Sequence, residues 1–135
     1  MKFAHATTQA VTRQGRMDQL RRDRSTAQAL RAAFPSVHQL RIELKFDGPF
    51  TNMPTAQSHV LYPPARAFFG YPCPYSDCDG HFDLGEAVKA ALADESNVSA
   101  GTLECHGSRA RDHASKQPCL LQIIYEVTAT YHEKS

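Results

Sequence analysis

The chain predicts an α+β fold, an antiparallel sheet of about four strands with two helices. Three observations carry that expectation. The hydrophobic period switches between helical and alternating stretches in the order helix, strand, strand, helix, strand, strand. Strands that come in runs, rather than alternating strictly with helices, favour an antiparallel sheet with helices on one face. With 135 residues, 41% hydrophobic and 21% charged, the chain is long enough for one domain with a core of its own. The expected division is a flexible N-terminal tail at 1–14, rich in Thr, Gln and Ala, and a single α+β domain at 15–135.

The first helix is expected from Gly15 to Phe34. Strong helix formers fill it, and Leu20, Ala27 and Phe34 recur every seventh residue with Leu30 on the same side. Pro35 closes it, having no N–H to donate. The period then becomes two. Leu40, Ile42, Leu44 and Phe46 alternate with Arg41, Glu43, Lys45 and Asp47, which describes a strand with one buried and one wet face. Asp47-Gly48-Pro49 breaks it, and a polar loop follows over 48–57. A second extended stretch runs from His59 to Tyr71, interrupted at Pro63-Pro64.

A second helix is expected over 83–96. Asp83 serves as cap with Glu86 three residues later, and Leu84, Val88, Ala91 and Leu92 form its apolar face. Short strand 101–105 follows, then a polar loop over 106–118. The last strand runs from Cys119 to Tyr131, with Leu121, Ile123, Tyr125, Val127 and Ala129 on one face.

The net charge of +1 is unevenly spread, with +5 on residues 1–50 and −4 on the rest. A basic first half suits an acidic partner such as a phosphate backbone. Arg21, Arg22 and Arg24 on the first helix, and Arg109, Arg111 and Lys116 in the 106–118 loop, are the candidate contacts for a nucleic-acid or protein partner. The competing reading is a solvated helix face whose arginines pair with Asp18 and Asp23. Phe68, Phe69 and Tyr71 near Arg66 offer faces for stacking bases, or core residues on one side of a strand.

Four cysteines carry the one constellation with a definite chemistry. Cys73 and Cys78 flank a tight turn stiffened by Pro72 and Pro74, with Gly80 just past the second sulfur allowing a positive φ. Cys105 and Cys119 lie on two strands whose antiparallel pairing brings the sulfurs together across thirteen intervening residues. Four thiolates in a tetrahedron are a closed, structural zinc site. A mixed Cys/His site, a Cys73–Cys78 disulfide in an oxidising compartment, and buried free thiols remain open alternatives.

The segment Cys73-Pro74 to Cys78-Asp79-Gly80 resembles the knuckle of zinc-ribbon proteins. The likeness covers residues 71–80, and Cys105 and Cys119 by type alone. It implies metal binding by Cys73, Cys78, Cys105 and Cys119 and no activity. The knuckle spacing is four rather than the commoner two, and a helix separates the pairs.

Seven histidines are present. His81 follows the knuckle and could lean toward a metal. His106 should face away from Cys105, because neighbours on a strand point to opposite sides. His113 reaches the site only if its loop folds back. There is no His-x-Glu pair, no His-Glu-x-x-His, no glycine-rich phosphate loop and no Gly-x-Ser-x-Gly. With no secretory leader and no long apolar run, the expected compartment is the cytoplasm, with no membrane partner. The expectation is thus a small zinc-binding protein that acts by binding. A zinc enzyme would need an open coordination position, and an interaction module or subunit of a larger assembly is the third class.

Overall fold

The structure, a computed structural model, describes residues 12–48, 55–94, 96–109 and 117–132. Helix α1 spans Arg13–Thr26 and a short α2 spans Leu30–Ala33. Strand β1 is Val37–Asp47 and β2 is Ala56–Leu61. A small hairpin of β3, Gly70–Pro72, and β4, His81–Asp83, precedes helix α3, Gly85–Ala93. Strand β5 is Val98–Glu104, β6 and β7 are the short pair Ser108–Arg109 and Gln117–Pro118, and β8 is Gln122–Tyr131.

The main sheet has four antiparallel strands in the order β2-β1-β8-β5. The fold is therefore α+β, as the periodicity predicts. Leu40, Ile42, Leu44 and Phe46 stand opposite Ala129, Val127, Tyr125 and Ile123. All are buried except the half-buried Tyr125, and they join one core with Leu84, Val88 and Ala91 of the α3 segment. Each large apolar side chain there contributes about 1.5–3 kcal/mol by leaving water. The opposite face carries Arg41, Lys45, Gln122, Glu126 and Thr130, as the alternation requires.

Three local expectations are corrected. The first helix is not continuous over 15–34. It starts at Arg13, where the Thr12 hydroxyl caps it by accepting the Gly15 N–H at 2.9 Å. It breaks at Ala27–Ala29, because that stretch pairs with residues 63–67: Ala67 N–H donates to the Gln28 carbonyl and Leu30 N–H to that of Ala65. Ser25 and Thr26 also turn their hydroxyls back on the Arg22 and Asp23 carbonyls near its end. Tertiary pairing outweighs the helix propensity of the alanines, so Leu20, Leu30 and Phe34 do not form one stripe.

The second helix is shorter than 83–96. Asp83 belongs to β4 and its carboxylate accepts the Gly85 N–H at 2.6 Å, while Leu84 is the cap residue. The expected apolar face holds: Leu84, Val88 and Ala91 are buried and Leu92 packs against the core. Third, Gly80 has no positive φ; among the described residues only Asn97 does, at 62°. The expected tail at 1–14 lies outside the described residues as far as residue 11, as does most of the expected loop at 48–57.

Candidate metal centre

Two structural units deliver the four cysteines. The β3–β4 hairpin, with Tyr71 opposite Phe82 and Pro72 opposite His81, carries the first pair. Cys73 N–H donates to the Gly80 carbonyl at 3.1 Å, and Cys78 N–H to that of Tyr75 at 3.2 Å. Those bonds fold residues 73–78 into a tight turn with both sulfurs on its inner side. The second pair sits where the main sheet ends. Glu104 pairs with Gln122, and just beyond, Cys105 N–H donates to the Leu121 carbonyl at 3.0 Å. The β6–β7 pair then returns the chain, and Cys119 N–H meets the Gly107 carbonyl at 2.9 Å. Antiparallel pairing closes the thirteen-residue gap between Cys105 and Cys119, as expected.

All four sulfurs lie within 4.8 Å of one another. Cys73 and Cys119 are 3.8 Å apart, Cys78 and Cys105 3.7 Å. Thiolates about 2.3 Å from a tetrahedral metal are about 3.8 Å apart from each other. The cysteines are free thiols and at most 2% exposed.

A second layer of contacts shapes the cluster, and the sequence hides it in a repeat. Cys78-Asp79-Gly80 and Cys105-His106-Gly107 share the pattern Cys-x-Gly. In each, the glycine N–H donates to the cysteine sulfur two residues back, at 3.3 Å for Gly80 and 3.4 Å for Gly107. The glycines pack against each other. A Cβ on Gly80 would lie 2.6 Å from the Cys105 sulfur and 2.8 Å from the Gly107 Cα. Gly80 is needed for close approach, not for backbone conformation. Hydrogen bonds to sulfur orient a thiolate ligand and stabilise its charge.

The arginines of α1 reach the same region. Arg13 donates to the Cys73 carbonyl at 2.8 Å and the Cys78 carbonyl at 3.1 Å. Arg16 donates to the Asp79 carbonyl at 3.0 Å. Asp79 accepts the Ser108 N–H at 2.8 Å, tying knuckle to β6. Neither Arg13 nor Arg16 stood out in the sequence, because a guanidinium that binds backbone carbonyls leaves no motif.

Without a cation, the four thiols resist ionising together. Thiol hydrogen bonds to Cys105 and Cys78, then burial, push Cys73 up, and burial leads in pushing Cys119 up. Cys78 is drawn down to about 2, first by hydrogen bonding with Cys105 and then with Cys73. Left to themselves, the thiols concentrate negative charge on one sulfur, since like charges resist ionising together in a buried pocket. A divalent cation at the centre reverses that bias.

The other singled-out residues are dispersed. Arg21 is exposed and pairs with Asp18 at 2.9 Å. Arg22 is exposed on α1. Arg24 donates to the Gly70 carbonyl at 3.2 Å and lies 5.1 Å over the Phe68 ring. Arg109 is buried, 2.7 Å from Asp77 and 3.8 Å over the Tyr75 ring, so it buttresses the knuckle from behind. Arg111, Lys116 and His113 lie outside the described residues. His81 and His106 are exposed, and the only metal-binding cluster among the described residues is the four cysteines.

Compared with known protein families, curated proteins and solved structures, the chain gives no match. The zinc-ribbon likeness therefore rests on the knuckle alone. Fold and site define an α+β protein with a buried four-cysteine cluster of metal-binding geometry. Among the described residues, no helix is long and apolar enough to cross a membrane.

Proposed function

We propose that Cys73, Cys78, Cys105 and Cys119 hold one zinc ion, that the ion is structural, and that the protein acts by binding a partner in the cytoplasm. The carrying observation is the buried four-sulfur cluster with its 3.7 and 3.8 Å edges. A closed set of four thiolates suits zinc and leaves no position for a water or substrate. The ion would join the β3–β4 hairpin to the end of the main sheet, which argues for a part in folding. Exposed Arg21, Arg22 and Arg24 on α1 are the side chains offered to an acidic partner.

Cobalt substitution tests the site. Purified protein should take up one Co(II) per chain, with the intense sulfur-to-metal bands of a tetrahedral four-thiolate centre, and zinc should displace it. Weak, octahedral-type spectra would overturn the reading.

A further inference from the structure

Beside the hairpin, between α1 and β2, lies an open cleft of about 750 Å³. Arg13, Arg24 and Arg66 line it, together with His59, Phe68 and Tyr71. Among the described residues, its lining includes no Asp or Glu. None of the three guanidiniums has a carboxylate within ion-pair reach among the described residues, whose ion pairs lie elsewhere. The sequence before Arg13 holds no acidic residue either. Among the described residues, then, the three charges have no ion-pair partner.

Each guanidinium is also held in place. Arg13 is fixed on the Cys73 and Cys78 carbonyls, Arg24 on that of Gly70, and Arg66 on that of Ala27 at 2.9 Å. A guanidinium has five N–H donors, so every one keeps donors to spare. Anchored side chains lose less entropy when they bind. The residues are all arginine and no lysine, the choice that suits the fork geometry of a phosphate. Flat rings lie alongside: His59 stacks on Tyr71 at 4.3 Å with 22° between planes, and Phe68 sits under Arg24. His59 is pulled below its usual range, first by burial and then by the Arg24 charge, which fits a positive field in the cleft.

We propose that this cleft binds a phosphate-bearing ligand with a planar base, a nucleotide unit, either free or within a single strand. The phosphate would bridge the guanidiniums, and the base would extend the His59–Tyr71 stack. The proposal deepens the reading that the protein acts by binding and does not depend on which metal fills the cysteine cluster.

The test uses the full zinc-loaded chain at low salt, with a labelled short single-stranded oligonucleotide, adenosine triphosphate and inorganic phosphate as probes. Binding should be seen by anisotropy for the strand or by competition for the nucleotide; whichever binds more tightly identifies the source. Arg24→Gln with Arg66→Gln should weaken it about tenfold or more, because two charge-assisted phosphate contacts are lost. Arg41→Gln with Lys89→Gln, exposed side chains on β1 and α3 outside the cleft, should change it less than about twofold. Should the cleft variant fail to fold, amide and side-chain NMR shifts of the native chain decide the matter. Those of His59, Phe68 and Tyr71 should move on adding ligand. Absence of binding by all three probes, equal losses in both variants, or shifts confined to the Arg21–Arg22 face would overturn the proposal. Zinc content measured on the same samples separates that failure from failure of the metal reading.

Discussion

Replacing Gly80 by alanine should damage the metal centre although alanine can adopt the backbone conformation. Gly80 has no positive φ, so the substitution brings no torsional strain. Its cost is steric. The new Cβ would stand 2.6 Å from the Cys105 sulfur, 2.8 Å from the Gly107 Cα and 2.9 Å from the Gly107 nitrogen. Ordinary carbon contacts sit at about 3.5–4.0 Å, so the two Cys-x-Gly turns must separate by about an ångström. Two of the neighbours are backbone and the third is a cysteine sulfur, so none can swing aside. Overpacking of this kind costs about 1–3 kcal/mol. If it falls on the metal-bound state, it corresponds to about 5- to 150-fold in affinity. That brackets the roughly 10- to 100-fold usual for disrupting contacts around a metal's ligands. Competition against a chromophoric zinc chelator measures the affinity directly. Gly15→Ala serves as control, since among the described residues its Cβ meets only the Thr12 hydroxyl, at 3.1 Å. Unchanged zinc affinity in Gly80→Ala would refute the claim that the packed glycine pair holds the sulfurs in place.

Cys78→Ser should lose the metal and lower the melting temperature, with protection of the β3–β4 amides lost first in hydrogen exchange, because structural metal binding contributes directly to folding. His106→Ala should keep full metal content by elemental analysis, since His106 is exposed and outside the sulfur cluster. Asp77→Asn should destabilise by about 1–3 kcal/mol in denaturant titration, because the buried Arg109 loses the Asp77 carboxylate charge at 2.7 Å. Stability should fall as pH drops below about 6.5. His59 is held below that value by burial and then by Arg24, so the unfolded chain takes up the proton first. His59→Gln should flatten this part of the profile at saturating zinc; an unchanged slope would remove His59 as the cause.

The sheet was legible because alternation writes a half-buried strand directly into the sequence: Leu40 to Phe46 and Ile123 to Ala129 are paired and buried on the expected face. The cysteine cluster was legible from residue type, given that pairing of the last two strands closes the gap. The break at Ala27–Ala29 was not. Its cause is hydrogen bonding to residues 63–67, and alanine offers no local signal of a distant partner. Likewise Gly80 suggested a turn conformation, whereas its role depends on Gly107, twenty-seven residues away. The Cys-x-Gly repeat is visible once both turns are aligned, and it was the signal to look for. The arginines show the same limit. Sequence placed a basic face on α1, but only the fold reveals that Arg13 and Arg16 turn inward to knuckle carbonyls while Arg21 and Arg22 stay outside.

X-ray absorption at the zinc edge, on protein purified without added metal, tests the central claim most directly. A zinc with four sulfur neighbours at about 2.3 Å and no nitrogen or oxygen neighbour is the expected result. Its stoichiometry should be one per chain, with all four thiols unreactive until the protein is denatured in a chelator. A chain free of metal with four titratable thiols, or a zinc holding a light-atom ligand, would contradict the account.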